Sequence, residues 1–161
     1  MKENPFIPAR SRAQWVKPIF ASLLGIMVFG VAPRALHAQD GTPASSGVYT
    51  TPQAARSADL YQSKCSTCHG PELAGDGTAP PLAGPVFVGH WGGQPVASLF
   101  DYIHTSMPSD QPGTLSDHEV ADLIAFLLRS SKFPAGHTEL PAVPDQLNAI
   151  VIDDASAAHG N

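Results

Sequence analysis

The chain has 161 residues, with 9 Lys and Arg, 14 Asp and Glu, and a formal net charge of -5. This length fits one ordinary domain plus a processing segment, and the charge argues against a nucleic-acid-binding protein, which needs a basic face for phosphates. Two cysteines are too few for a disulfide framework, and 14 glycines with 16 prolines predict a large share of loop.

The first 38 residues have the composition of an export signal. They contain five of the nine basic residues and one acidic residue, then the apolar stretch Ile19–Ala32 and a small-residue exit at Ala35–Ala38. This order predicts a signal peptide over residues 1–38, cleaved after Ala38, and therefore a periplasmic bacterial protein. Fourteen helical residues span about 21 Å of a hydrocarbon core of ~30 Å, and an uncleaved segment that anchors the protein in the membrane stays open as an alternative.

The next segments are interpreted from their cap and turn residues. Residues 39–50 are small and polar without periodicity, which predicts a flexible leader. Thr51 before Pro52 predicts an N-cap and a first helical residue, so we expect a helix from there to about Lys64. Residues 70–94 are interrupted by glycine and proline, which predicts a long loop.

Two further helices and a long tail complete the predicted elements. A helix is expected over residues 95–105, and the clearest helix covers residues 116–129, where Ser116 and Glu119 have capping-box spacing and apolar residues recur at helical spacing. Residues 133–161 are interrupted by proline and are expected to form a C-terminal extension.

A cofactor signature stands at the end of the first predicted helix, Cys65-Ser66-Thr67-Cys68-His69. Two thiols on one helical turn can form thioethers with the two vinyl groups of one porphyrin, and the adjacent histidine is directed at the iron. A thioredoxin-like pair would need a βαβ context, and a zinc site would need a fourth ligand that nothing nearby offers. The motif therefore predicts one covalently attached haem c, with its iron bound by His69.

The second axial ligand is sought among the remaining soft and basic side chains. Met107 is the only methionine outside the start residue and the signal segment, and it stands in a Gly/Pro loop that can present its sulfur. A methionine that only fills a gap in the core is the other interpretation of this residue. His90 and His104 are the competing ligands, and Met107 is the ligand we predict.

Together these motifs resemble the class I c-type cytochromes. The resemblance rests on Tyr61-x-x-x-Cys65-x-x-Cys68-His69-Gly70, on Pro80-x-Leu82-x-Gly84, on Met107-Pro108 and on the capped last helix. The stretch from Met107 to Asp122 is similar to the cytochromes, or cytochrome domains, that take electrons from quinoprotein alcohol and sugar dehydrogenases. The resemblance covers roughly residues 52–152.

The resemblance implies an all-α cytochrome c domain over residues 51–132, with three to four helices and long Gly/Pro loops wrapped around one haem. It implies axial ligation by His69 and Met107, and it implies that the Pro80 carbonyl accepts the other imidazole N–H of His69. It also implies that the first helix crosses the last one near Tyr61. Trp91 resembles a family position near a haem propionate, and a core indole is the other interpretation of this residue.

The predicted site suits electron transfer rather than catalysis. Iron with six ligands has no open position for a substrate, so we expect a carrier of single electrons and not an enzyme. Methionine ligation raises the reduction potential, and burial of the haem under Leu82, Phe87, Leu99 and Phe100 should act in the same direction. A five-coordinate haem enzyme or gas binder is one alternative, and a membrane-anchored subunit of a dehydrogenase or oxidase complex is another.

Charge suggests what kind of protein this carrier meets. Residues 39–161 keep four basic and thirteen acidic side chains, a net charge of -9. An acidic carrier fits redox partners with a basic docking patch, here a donor dehydrogenase and an acceptor oxidase or cytochrome. The acidity also has a simpler interpretation, which is solubility alone. No nucleic acid is expected as a partner, and a membrane is expected only if the N-terminal segment is uncleaved.

Overall fold

The structure is a computed structural model that describes residues 41–154, so the predicted signal peptide at 1–38 lies outside the described residues. The all-α prediction is confirmed, with more and shorter helices than the three to four expected. The helices are α1 (Thr51–Arg56), α2 (Ala58–Lys64), α3 (Ser66–His69), α4 (Gly84–Trp91), α5 (Val96–Ser106), α6 (Asp117–Ser130) and α7 (Pro144–Leu147). Two short strands, β1 (Thr42–Pro43) and β2 (Ile150–Val151), are added to them.

The first predicted helix is two helices with a shifted start. Thr50, not Thr51, is the N-cap, and its side-chain oxygen accepts a hydrogen bond from the Gln53 backbone N–H at 3.2 Å. The helix is interrupted at Ser57, whose hydroxyl donates to the Asp122 carbonyl oxygen in α6 at 2.8 Å. The interruption therefore joins α1 and α2 to the last long helix.

The capped helix α6 forms the centre of the core. Its capping box is present: Ser116 Oγ accepts from the Glu119 N–H, and a Glu119 carboxylate oxygen accepts from the Ser116 N–H at 2.8 Å. The hydrogen bonds that the Ser116 N–H and hydroxyl donate to the Glu119 carboxylate hold the pKa of Glu119 below its usual value. The predicted apolar stripe is buried, and it packs against α1, α2 and α5. Its members are Val120, Leu123, Ile124, Leu127 and Leu128.

Helix α4 lies inside the segment predicted to be a loop, so the prediction of a loop over residues 70–94 was wrong for residues 84–91. Glycine and proline favour a loop, but a proline such as Pro85 is also well suited to the first turn of a helix, where its missing N–H leaves no hydrogen bond unmade. Phe87 on this helix is buried against the core. Helix α5 lies close to its predicted span, with Pro95 as its N-cap.

The leader and the C-terminal extension pack against each other and against the helices. Strands β1 and β2 pair in parallel, with Thr42 beside Ile150 and Pro43 beside Val151. The hydroxyl of the buried Tyr49 donates to the Phe133 carbonyl oxygen at 2.7 Å. Residues 41–50 of the predicted leader therefore contact a segment about a hundred residues later in the chain. We call residues 41–50 and 133–154 together the belt.

Two close contacts fix the belt to α1 and to itself. The buried Gln53 amide donates to the Leu140 carbonyl oxygen at 2.9 Å and accepts from the Leu140 N–H at 2.8 Å. At the second contact, the Gly136 N–H donates to the Tyr49 carbonyl oxygen at 2.7 Å, and the Gly136 Cα lies directly against the backbone of Gly47. A side chain at position 136 would therefore collide with main-chain atoms.

An ion-pair cluster fastens the same region on the outside. Arg56 of α1 contacts Asp122 of α6 at 3.0 Å and Glu139 of the belt at 2.7 Å. The hydrogen bonds that Arg56 donates to Glu139 and Asp122 raise the pKa of its guanidinium, and the guanidinium lowers the pKa of Glu139.

Within residues 41–154, no helix combines the length and apolar character needed to cross a bilayer.

Replacing Gly136 with Ala should destabilise the protein by about 2 kcal/mol or more, because the added methyl group meets the Gly47 carbonyl oxygen and the two backbones must separate. Urea unfolding of the haem-loaded protein, followed by circular dichroism, measures this change. Gly89→Ala is the matched control: an added Cβ there has open space in a helix, so its effect should stay within about 1 kcal/mol. Equal midpoints for the two variants would contradict the close contact in the belt.

Candidate functional site

A cavity of about 500 Å³ lies among α2, α3, α4, α5 and α6, a volume in the range of cofactor sites. All of the predicted site residues line it: Cys65, Cys68, His69, Pro80, Leu82, Trp91 and Met107. Leu82, Phe87 and Leu99, expected to bury the haem, also line it. Phe100 is not among the lining residues, and its buried ring stacks on His104 instead.

The two cysteines and the histidine are held on one helical turn. Cys65 is the N-cap of α3, and its carbonyl oxygen accepts hydrogen bonds from the N–H groups of Cys68 at 3.2 Å and His69 at 2.9 Å. Both thiols are free; that of Cys65 is half-buried and that of Cys68 is exposed. Burial raises the pKa of the Cys65 thiol to about 11, so this group is a neutral thiol at pH 7. The turn thus presents two thiols and one imidazole to a single cavity.

A hydrogen bond orients the imidazole of His69. Its Nδ1 lies 2.8 Å from the Pro80 carbonyl oxygen, the contact that the family resemblance implies. Since a carbonyl oxygen only accepts, Nδ1 carries the proton, and Nε2 keeps the lone pair that a metal requires. Pro80 follows the tight loop that brings it back to α3.

The loop that positions Pro80 depends on Asp76 and Gly75. The Asp76 carboxylate accepts from the N–H groups of Thr78 at 2.8 Å and Ala79 at 2.9 Å, and these bonds, that from Ala79 first, hold its pKa below the usual value. Gly75 has φ +72°, and a Cβ there would lie 2.5 Å from the Ala79 carbonyl oxygen. Only glycine fits this position without a shift of the loop.

Tyr61 links the cysteine turn to the core. Its hydroxyl donates to the Gly70 carbonyl oxygen at 2.6 Å, and its ring lies 5.2 Å from that of Phe126 in α6. Burial, followed by the proximity of Cys65, raises the pKa of Tyr61 to about 12, so the phenol stays a hydrogen-bond donor at neutral pH. Helices α2 and α6 therefore contact each other at Tyr61, the residue near which the resemblance implies a crossing.

Met107 lines the cavity from the C-terminal end of α5. It is the C-cap of that helix, with an extended backbone, and its N–H donates to the Ile103 carbonyl oxygen at 3.0 Å. Of the two competing histidines, His90 also lines the cavity and His104 does not. His104 Nε2 lies 3.3 Å from an Asp117 carboxylate oxygen, which gives this imidazole a surface partner. The structure brings Met107 and His69 to one cavity and leaves His104 outside it.

The lining of the cavity is mostly apolar, and its only fully charged side chains are Lys64 and Asp110. A large planar tetrapyrrole suits such walls, two thiols match its two vinyl groups, and an imidazole with a thioether matches the two axial positions of its iron. The residues present therefore fit a haem c. Phe87, His90 and Trp91 were expected near the haem from the sequence, but the helix α4 that carries them and its lining residue Val86 were not predicted, because glycine and proline also favour a loop.

Comparison with known proteins gives one family and one structure. A family model described as "Cytochrome C oxidase, cbb3-type, subunit III" matches residues 52–127. The structure of the sulfane dehydrogenase SoxCD from Paracoccus pantotrophus matches with 21% identity and a TM-score of 0.46, over 80% of this chain and 70% of that one. No curated protein matches the chain.

Replacing both Cys65 and Cys68 with Ala should leave a protein without cooperative thermal unfolding, because the apolar walls of the cavity then lose the group that fills them. Circular dichroism melts and limited proteolysis measure this loss. Thr67→Ala is the matched control, since Thr67 lies between the cysteines, is exposed and does not line the cavity. A double variant that lacks haem yet melts cooperatively, at the temperature of the control, would contradict the prediction.

Proposed function

We propose that this chain transfers single electrons from a periplasmic dehydrogenase towards the respiratory chain. Its residues 52–127 match a cytochrome c family model, and a cytochrome c domain with covalent haem c is an electron carrier rather than an enzyme. The observation that carries the proposal is that Cys65, Cys68, His69 and Met107 line one apolar cavity. The domain boundaries that accompany it are a signal peptide at 1–38, a leader at 39–50, a haem-binding segment at 51–132 and an extension at 133–161.

In this proposal each cavity residue has a task. Cys65 and Cys68 hold the haem as thioethers, and His69 binds the iron through Nε2 while the Pro80 carbonyl oxygen fixes its ring. Met107 supplies the second axial ligand, and its soft thioether favours the ferrous state. Leu82, among the apolar lining residues, keeps water away from the iron. The bound haem supplies the reversible one-electron couple.

The proposed donor is a quinoprotein alcohol or sugar dehydrogenase, and the proposed acceptor is an oxidase or another cytochrome. The sequence similarity from Met107 to Asp122 supports this donor class. Charge supports it as well, since residues 39–161 have a net charge of -9, and two of their four cations already have partners. Arg56 is bound by two carboxylates, and Arg129 lies 5.3 Å from the ring centre of Phe126. Such a carrier is steered towards a basic docking patch.

A second candidate is a cytochrome subunit that stays in a membrane oxidase or dehydrogenase complex. The description of the matching family model, which names an oxidase subunit, favours it. In this case the apolar stretch Ile19–Ala32 would be retained as the anchor. Mass spectrometry of the purified protein separates the two candidates: an N-terminus at Gln39 supports the exported carrier, and an intact N-terminal segment supports the membrane subunit.

Met107→Ala should lower the reduction potential by on the order of 100 mV, because axial ligands set haem potentials over a range of about 0.8 V. It should also open the iron to exogenous ligands. Redox titration measures the potential, and absorption spectra with added imidazole or carbon monoxide measure access to the iron.

His104→Ala is the control for this test, because His104 does not line the cavity. It should keep the low-spin spectrum and the parent potential. If the Met107→Ala protein also keeps them and excludes both added ligands, Met107 does not bind the iron.

Electron exchange with small charged oxidants should show the sign of the field around the haem. Oxidation of the ferrous protein by cationic tris(phenanthroline)cobalt(III) should slow as salt rises, and oxidation by anionic ferricyanide should accelerate. Raising ionic strength from 0.01 M to 0.1 M shortens the screening length from ~30 Å to ~10 Å, enough to weaken steering by a net charge of -9. Stopped-flow rates measure both reactions, and rates that do not change with salt would contradict electrostatic steering.

A further inference from the structure

The loop that carries Pro80 is not held in place by buried side chains. It begins after Leu73 and ends before Leu82, and the Leu82 N–H donates to the Leu73 carbonyl oxygen at 2.9 Å. Leu73 is buried, but every residue between the two leucines is exposed or half-buried. We call residues 74–81 the histidine loop, because it carries the carbonyl group that contacts His69. Its conformation therefore depends on hydrogen bonds rather than on packing against the core.

One side chain restrains the end of the histidine loop. The Gly75 N–H donates to the His69 carbonyl oxygen at 2.8 Å, which ties the start of the loop to the cysteine turn. Further along, a single Asp76 carboxylate oxygen accepts from the N–H groups of both Thr78 and Ala79, at 2.8 and 2.9 Å. The carboxylate thus fixes the two peptide groups that lead into Ala79.

Pro80 and Pro81 transmit this restraint to the imidazole. The ring of Pro80 fixes its own φ, and the ring of Pro81 confines the ψ of Pro80 to the extended region. With both torsions confined, the direction of the Pro80 carbonyl follows from the position of Ala79. Its oxygen lies 2.8 Å from Nδ1 of His69. A continuous series of contacts therefore runs from Asp76 through Ala79 and Pro80 to the imidazole.

We propose that Asp76 is a positioning residue for His69. By holding Ala79, its carboxylate keeps the Pro80 carbonyl oxygen on Nδ1, which leaves Nε2 as the nitrogen that binds the iron. The inference rests on the proposed function, since it assumes that His69 is an iron ligand. A ring held in one orientation does not have to rearrange when an electron enters or leaves.

The hydrogen bonds of Asp76 can be separated from its charge by substitution. The Ala79 N–H contributes most to holding the pKa of Asp76 below its usual value, followed by the Thr78 N–H, and the charge of His69 contributes less. Asp76→Asn removes the charge but keeps an oxygen that can accept both N–H groups. Asp76→Ser keeps a weaker acceptor, and Asp76→Ala keeps none. If the hydrogen bonds position the loop, the disturbance should increase in the order Asn, Ser, Ala.

The test follows the His69 Nδ1–H by NMR in the ferrous, haem-loaded protein with ¹⁵N-labelled histidine, and measures its exchange with solvent. Asp76→Ala should exchange about tenfold faster than the parent or more, because the acceptor of this N–H is no longer held in place. Asp76→Asn should stay within about threefold of the parent, and Asp76→Ser should lie between the two. Backbone amides of α6 in the same samples report on unfolding of the whole protein.

Glu72→Gln is the matched control. Glu72 is exposed just before the histidine loop, and within the described residues its carboxylate makes no hydrogen bond. Glu72→Gln therefore removes the same charge as Asp76→Asn without touching the loop's hydrogen bonds, and it should exchange as the parent does. If Asp76→Ala does not yield haem-loaded protein, faster exchange in Asp76→Ser than in Asp76→Asn supports the proposal.

The other results would overturn the proposal. Parent-like exchange in both Asp76→Ala and Asp76→Ser would show that the carboxylate does not hold the ring. An Asp76→Asn protein as fast as Asp76→Ala, or an equally fast Glu72→Gln protein, would assign the effect to charge. Equal acceleration of the α6 amides would assign it to loss of the fold. Failure of the proposed function has a different signature, a Met107→Ala protein with the parent spectrum and potential, whatever the Asp76 variants do.

Discussion

The fold depends on filling the apolar cavity between the cysteine turn and helices α4, α5 and α6. Side chains from all these elements face this space, and the walls include large apolar groups such as Phe87, Leu99 and Leu123. In the proposed function, a covalent haem would remove this apolar surface from water and would be bonded to Cys65 and Cys68. The cofactor would then be a part of the core, which would explain how helices as short as four residues, such as α3, hold their places.

The belt stabilises the part of the core that lies away from the cavity. The long helix α6 buries its apolar stripe against α1, α2 and α5, and the belt covers further core residues with Tyr49, Leu140, Leu147 and Ile152. Its main-chain groups are satisfied by specific partners, above all the Gln53 amide on Leu140. Since these contacts lie away from the cavity, stability can be adjusted there without altering the residues around the haem.

Local signals were predictable, and distant pairings were not. The cysteine turn, Met107 and the capping box at Ser116 could be read from the sequence because each is defined by neighbouring residues. Helix α4 was not predicted because Gly84 and Pro85 also suit a loop. The pairing within the belt was not predicted because β1 has only two residues and acquires its structure from β2, more than a hundred residues later. The hydrogen bond from His69 to Pro80 was expected only through family resemblance, since nothing in the spacing alone requires it.

The parallel pairing of β1 with β2 also has a mechanical consequence. Thr42 lies beside Ile150, and Pro43 lies beside Val151, so the chain enters the pair at the start of one strand and leaves it at the end of the other. Tension applied between residues 41 and 154 would therefore pull the two strands in opposite directions along their length. This is a shear geometry, in which all the contacts between the strands bear the force at the same time. The contact of the Ser45 hydroxyl with the Asp153 carboxylate would share that load. A protein tethered through both ends would resist extension at this point before the helices around the haem were strained.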